Sequence, residues 1–263
     1  MQPEEVLKLI SSAPERYDTV RAALRYRGDG PTKKEIRERI ASTEAGRRAF
    51  RISPREASQM IERPIDHPEP DGPFGWRSRA WHADEYHWRL EADRPDGGVN
   101  ILASNGRTPN GRRLPPYAPK YMGRFWRHRV GGGPREDEPR WFDLANDHYW
   151  TFYALRTDEI CGISHELRPL DLTVEGTVTW AGREAVRLVG VPGEQWDRGW
   201  DPDPLSWGAD EYEVVVDAER GVLLRCASRL GGKDFDALEL EEIHFDERFP
   251  EDTFASREPL PWR

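Results

Sequence analysis

The chain has 263 residues, with 48 Asp and Glu against 39 Lys and Arg and a formal charge of −9. That balance disfavours attraction to phosphate backbones or anionic lipid surfaces, which want a basic footprint, so no nucleic acid is expected as a partner. Hydrophobic residues reach only 37%, yet 11 Trp, 9 Phe and 8 Tyr argue for a folded chain with a substantial core.

Apolar positions Val6, Leu9 or Ile10, Ala13, Tyr17, Val20 and Leu24 recur every three or four residues, predicting a helix over about 4–26. Ser12-x-x-Glu15 fits a capping box, so the helix is expected to kink or restart there. Thr32-x-x-Glu35 and Ser53-Pro54-x-Glu56 repeat the start signal and predict helices near 33–49 and 54–62, the last ended by Pro64. Prolines 64, 68, 70 and 73 with glycines 72 and 75 make 63–75 a linker. The expected layout is a helical N-terminal extension over 1–62, that linker, and an antiparallel β part over 76–258, all within one structural domain.

Beyond the linker the period becomes two. Tyr86, Trp88 and Leu90 alternate with His87, Arg89 and Glu91, as in a strand with one buried face. Val99–Ala103 and Tyr121–Val130 are further strands, 104–119 and 131–139 read as loops, and 141–165 fits either a short helix or a strand. Thr173–Trp180 and Glu184–Val191 flank the turn Ala181-Gly182-Arg183 as a hairpin, and 211–217, 222–230 and 235–245 read as a three-stranded meander. Leu238, Leu240, Ile243 and Phe245 alternate with Glu239, Glu241, Glu242 and His244 with one slip at 242, the mark of a β-bulge.

Catalytic and metal-binding patterns are weak. His82, Asp84, Glu85 and His87 are dense, but residues five apart on a strand face opposite ways and no HExxH helix is present, so no metal site is expected. Cys161 with His165 lacks an orienting group, Asp147-His148 stands alone, and glycines 131–133 lack the Lys-Ser/Thr of a phosphate loop. No catalytic residue and no cofactor is assigned. Cys161 and Cys226 are too few for a disulfide scaffold and read as free thiols. The acidic opening Met1-Gln2-Pro3-Glu4-Glu5 is unlike a signal peptide, and no membrane-length apolar run follows. A cytoplasmic protein that is not an integral membrane protein is expected.

Four pieces of sequence, in order, resemble the LolA-like superfamily of lipoprotein carriers, mycobacterial lipid-binding lipoproteins and the N-terminal domain of RseB/MucB-type regulators. They are Ala13-x-x-x-Tyr17-x-x-Val20; Gly176–Val191 around Ala181-Gly182-Arg183-Glu184; Tyr212–Asp217 leading through Gly221 to Leu223-Leu224-Arg225; and Phe249-Pro250-x-Asp252-x-Phe254. The resemblance implies an α+β, mainly β, antiparallel half-open barrel with N-terminal helices over its concave face. It also implies a non-enzymatic protein that takes an apolar or amphipathic ligand, such as a lipid or acyl chain. Tyr86, Trp88, Phe125, Trp150, Tyr153 and Trp180 are then the candidate ligand contacts, set against the ordinary role of such aromatics as core. The alternative is a cytoplasmic interaction scaffold without a ligand cavity, in which basic positions such as Lys33, Lys34, Arg37, Arg47 and Arg48 of the N-terminal helices dock a protein partner.

Overall fold

The computed structural model of the chain describes residues 1–44, 47, 53–55, 71–84, 87–93, 97–105, 126–130, 167–168, 170–193, 205–206 and 208–261. Their elements run α1 (Pro3–Ser11), a 3-10 turn (Ala13–Glu15), β1 (Val20–Asp29), α2 (Gly30–Ser42), β2 (Pro73–His82), β3 (His87–Asp93), β4 (Val99–Asn105), β5 (Trp126–Val130), β6 (Leu170–Trp180), β7 (Arg183–Pro192), β8 (Glu211–Asp217), β9 (Leu223–Leu230) and β10 (Lys233–Phe245). All of these strands share one sheet in the order β5-β4-β3-β2-β1-β10-β9-β8-β7-β6. Every neighbouring pair is antiparallel. The outermost strands β5 and β6 do not pair with each other, so the sheet is open.

The single helix expected over 4–26 is corrected. The helix stops at Ser11, a 3-10 turn follows at Pro14, and 20–29 is a strand in the middle of the sheet. Val20 and Leu24, four apart, share a face in a helix and in a strand alike, so they do not discriminate between the two periods. The deciding residues are Ala22 and Tyr26, buried with them, while Arg25 and Arg27 are exposed between them. The second helix begins at Gly30 rather than near 33, because Asp29 and not Thr32 is its cap: the Asp29 carboxylate accepts the Thr32 N–H at 2.9 Å, with Pro31 in the first turn. Pro73–Gly75, assigned to the linker, open β2. Of the helix expected over 54–62, residues 56–62 lie outside the described residues, as do linker residues 63–70 and the ambiguous stretch 141–165. The C-terminal hairpin and meander form as expected, and the slip falls where Leu24 faces Leu240 and Ala23 faces Glu242, leaving Glu241 as the extra residue.

The sheet is strongly curled. The Trp180 indole on β6 donates to the Leu240 carbonyl of β10 at 3.0 Å, although four strand spacings separate β6 from β10. Laid flat, that distance is about 19 Å, far beyond the reach of one side chain. The bend lies at the β9/β10 seam: pairing there stops at Arg225/Glu239, while β10 continues on β1 alone to Phe245. The result is a half-open barrel, and β8 shows its two sides. Tyr212, Val214 and Val216 enter a cluster with Val6, Leu9 and Ile10 of α1 and Ile36 and Ile40 of α2. Val215, pointing the other way, joins Val20, Ala22 and Leu24 of β1, Ala80 of β2 and Trp88, Leu90 and Ala92 of β3.

Two features hold the curled half. The β8–β9 turn is shaped by Asp217, whose Oδ1 accepts the N–H groups of Glu219 (2.9 Å) and Arg220 (2.6 Å). Gly221 then adopts φ +76°, and a Cβ there would strike the Leu9 carbonyl of α1. The second feature is a charge cluster across β7 to β10. Arg225 is buried and donates to Glu213 (2.6 Å), Glu239 (2.9 Å) and Asp234, while Arg229 reaches Glu211, Glu213 and Asp234 at 2.7–2.9 Å. Arg187 of β7 also pairs with Glu213. Burial by itself would push the Glu213 carboxyl up, but the Arg225 hydrogen bond and the charges of Arg229, Arg225 and Arg187 outweigh it and hold the group below its ordinary range. Asp234 is depressed in the same way against its own burial by Arg229 and Arg225.

Gly221→Ala is expected to cost about 1–3 kcal/mol, from a side chain forced into the left-handed region and against α1. An unchanged urea midpoint would refute this. Arg225→Met should be costlier, about 3–5 kcal/mol, because it strips the principal partner from a buried carboxylate. The folded pKa of Glu213 lies below its unfolded value, so its contribution is fully present above about pH 4.3 and is lost as pH falls through the folded pKa. Denaturant melts across pH 3–6 should therefore show wild type losing stability on acidification, with a shallower slope in Arg225→Met; equal slopes would contradict the assignment.

Candidate functional site

Strand alternation sends one set of β1–β3 side chains into the space enclosed by the curl. From β1 come Val20, Ala22, Leu24 and Tyr26; from β2, Trp76 and Ala80; from β3, Trp88, Leu90 and Ala92. Ala185 and Val215, with half-buried Val178 and Trp180, close the same space from β6–β8. Large aromatics and alanines are mixed in this apolar interior, where they are buried against one another.

Two of the six aromatic candidates fall on described residues, and both sit here. Trp88 is 1% exposed within the cluster. Trp180 is half-buried, its N–H held by Leu240 and its ring 5.3 Å from the Arg225 guanidinium carbon. Tyr86, Phe125, Trp150 and Tyr153 lie outside the described residues.

Sequence reasoning missed a second group, at the end of the interior nearest α2. The Tyr26 and Trp76 rings stack with centroids 5.3 Å apart and 20° between planes, and Phe74 is tilted against Tyr26 at 5.8 Å. Lys33 extends from α2 over this group, 5.4 Å from the Tyr26 centroid and 5.8 Å from that of Phe74. Its ammonium donates to the Tyr26 hydroxyl at 2.7 Å and pairs with Asp236 of β10 at 2.6 Å. Asp236 also accepts the Ser206 hydroxyl, and its Oδ1 is buried without a hydrogen-bond partner. The available signal was the alternation Phe74-x-Trp76 together with Tyr26, which became legible only once 20–29 was known to be a strand. An apolar wall thus ends in a cation, a carboxylate with one open acceptor and a phenol.

The weaker candidates resolve as follows. His87 Nδ1 lies 2.9–3.0 Å from the two carboxylate oxygens of Asp84 in the β2–β3 turn, while His82 is buried on β2; Glu85 lies outside the described residues. Among the described residues no group of three or more His, Cys, Asp or Glu side chains is placed to hold a metal. Cys226 is free and fully enclosed, and burial pushes its thiol up to about 12, so it is no nucleophile at neutral pH. Cys161, His165, Asp147, His148 and glycines 131–133 lie outside the described residues. No helix among the described residues is long and apolar enough to cross a membrane.

No family model and no curated protein matches the sequence. Solved structures do match it in shape. A MucB structure is 15% identical over 96% of this chain and 62% of its own, with a TM-score of 0.48, so this chain spans less than two thirds of that protein. LprF from Mycobacterium bovis is 10% identical over 97% of this chain and 96% of its own, at 0.39. A LolA superfamily protein from Nitrosomonas europaea is 7% identical over 97% and 98%, at 0.27. By its own register, open edges and curl, with α1 and α2 packed on the sheet, the chain is a mainly β, antiparallel half-open barrel.

Proposed function

We propose that this is a non-enzymatic binding protein for an amphipathic molecule carrying an acyl chain or comparable apolar part. The observation that carries the reading is the junction of an aromatic and alanine-lined interior with the Lys33–Asp236–Tyr26 group at one end. An apolar chain gains roughly 25 cal/mol for each Å² it removes from water, and to reach this interior it must part side chains that are buried against one another. The polar end supplies donors from Lys33 and an acceptor in Asp236 Oδ1, enough to fix one end of a ligand by its headgroup. Trp88 and Trp180 contact the apolar part. The resemblance to lipid and lipoprotein carriers points in the same direction, and among the described residues no assembled nucleophile, base and orienting group argues for catalysis.

Native mass spectrometry and solvent extraction of the purified protein test this. The expected result is a co-purifying acyl-chain lipid. Lys33→Gln should lower retention of an anionic long-chain probe about tenfold, a loss of roughly 1.4 kcal/mol, while leaving an uncharged alkyl probe bound. Protein that is empty as isolated and takes up neither probe overturns the proposal; if it instead retains a protein partner, the interaction-scaffold reading replaces it.

A further inference from the structure

The face of β3 opposite Trp88 and Leu90 carries Arg89 and Glu91, both with fully buried side chains. What buries them is the segment after β10. Arg89 Nη1 donates to the carbonyls of Thr253 (3.2 Å) and Ser256 (2.5 Å), and Nη2 donates to that of Glu258 (2.5 Å). Glu91 Oε1 accepts the Leu260 N–H at 2.8 Å and the Arg89 Nε–H at 2.7 Å, and Arg79 balances its other oxygen at 3.0 Å. These hydrogen bonds all end on the main chain of the segment, while the charge of its Asp252 carboxylate also acts on Arg89. Side-chain selectivity comes from a neighbouring anchor, Phe254, which is 9% exposed and lies 5.8 Å from both the His87 and Phe249 rings.

This is how a receptor holds a peptide: charged groups on rigid strands take the backbone, and one aromatic packs beside them, here Phe254 against His87 of β3 and against Phe249 of the segment itself. The segment adds no strand to the sheet and bends on itself through Thr253–Pro250 and Ser256–Asp252 backbone bonds. It leaves β10 through Asp246, a non-glycine residue at φ +59°, and is tied to the Thr19 end of β1 only as far as Glu247. Opening it would hydrate the Arg89–Glu91 pair, whose charges water solvates well, and would also expose Phe254.

We propose that Arg89 and Glu91 form a peptide-backbone site, filled in this chain by its own residues 248–261 as an exchangeable strap, and that the partner it fits is the same segment of a second copy. The site lies on the opposite face of β3 from the aromatic interior and does not rest on the ligand reading.

The test uses the full chain and a labelled peptide of residues 248–261, followed by fluorescence anisotropy. In wild type the tethered strap competes at an effective concentration on the order of mM. Phe254→Ala weakens that strap and leaves the site intact, so it should bind the peptide at least about tenfold more tightly than wild type does. Adding Arg89→Gln should abolish the gain. Hydrogen exchange on wild type is the second measurement, with the amides of 253–260 expected to open faster than those of 88–92. A folded Phe254→Ala that does not bind peptide, binding that survives Arg89→Gln, or strap amides that exchange only together with β3 would each overturn the proposal.

Discussion

The fold depends on one backbone seam. In the strand order β5-β4-β3-β2-β1-β10-β9-β8-β7-β6 each neighbouring pair is consecutive in the chain except β1 with β10. Each half is a meander that pairs locally; only the seam, running from Val20 against Phe245 to Gly28 against Asp236, joins them into one sheet. It joins nearly opposite ends of the chain, so loop-closure entropy opposes it more than any other pairing. Side chains reinforce it from both ends: Arg21 bonds Glu247 beyond the strands, and Arg27 reaches Glu239 at 2.8 Å. These partly exposed pairs add little each, so the apolar pairs Ala22/Ile243 and Leu24/Leu240 must supply most of what holds the seam.

The same seam makes the interior. The extra residue Glu241 tightens the local twist of β10 just where β9 ends its pairing, and the two halves part there. With β9 withdrawn, the apolar face of upper β10 and β1 meets the opposite face of β6–β8, and Trp180 spans the gap to Leu240. A sheet without that departure would leave Val215 and Ala185 exposed to water. Because β8 is buried on both sides, it reads as the nearly continuous apolar run Val214-Val215-Val216 and not as a strand of alternating character.

Much of the β part was legible because a half-buried strand shows its period directly: Trp88 and Leu90 against Arg89 and Glu91, or Leu238 and Leu240 against Glu239. Tight turns were legible for the same kind of local reason, since Asp217 and Gly221 are the residue types their backbone geometry needs. The error at 20–29 arose where a four-residue spacing satisfied both periods and the intervening alanines, Ala22 and Ala23, gave little contrast between buried and exposed faces. The cap at Asp29 was overlooked because Thr32-x-x-Glu35 offered a plausible start three residues later. Neither Lys33 with Asp236 nor Arg89 with Thr253–Leu260 had a local signature, since each pairs residues brought together only by the β1/β10 seam or by the return of the chain past β10.

Arg225 and Arg89 show how one side chain serves two ends. Both are buried in the sheet, where an unpaired guanidinium would be very costly, and both donate from Nε and from each Nη. Arg225 ends on the carboxylates of Glu213, Glu239 and Asp234, each fixed on a neighbouring strand, so it rivets β8, β9 and β10 and has no other role open to it. Arg89 has one carboxylate of its own and spends the rest of its fork on carbonyls of a segment outside the sheet. Burial opposes the charge of both, but only for Arg225 do the partners outweigh it: its guanidinium is held above its ordinary value, while that of Arg89 is pushed below. A charge so placed is well solvated by a peptide backbone or by water, and poorly by nothing at all. The β3 site thus ends largely on main-chain groups of a segment outside the sheet, whereas the β8–β10 cluster is part of the frame.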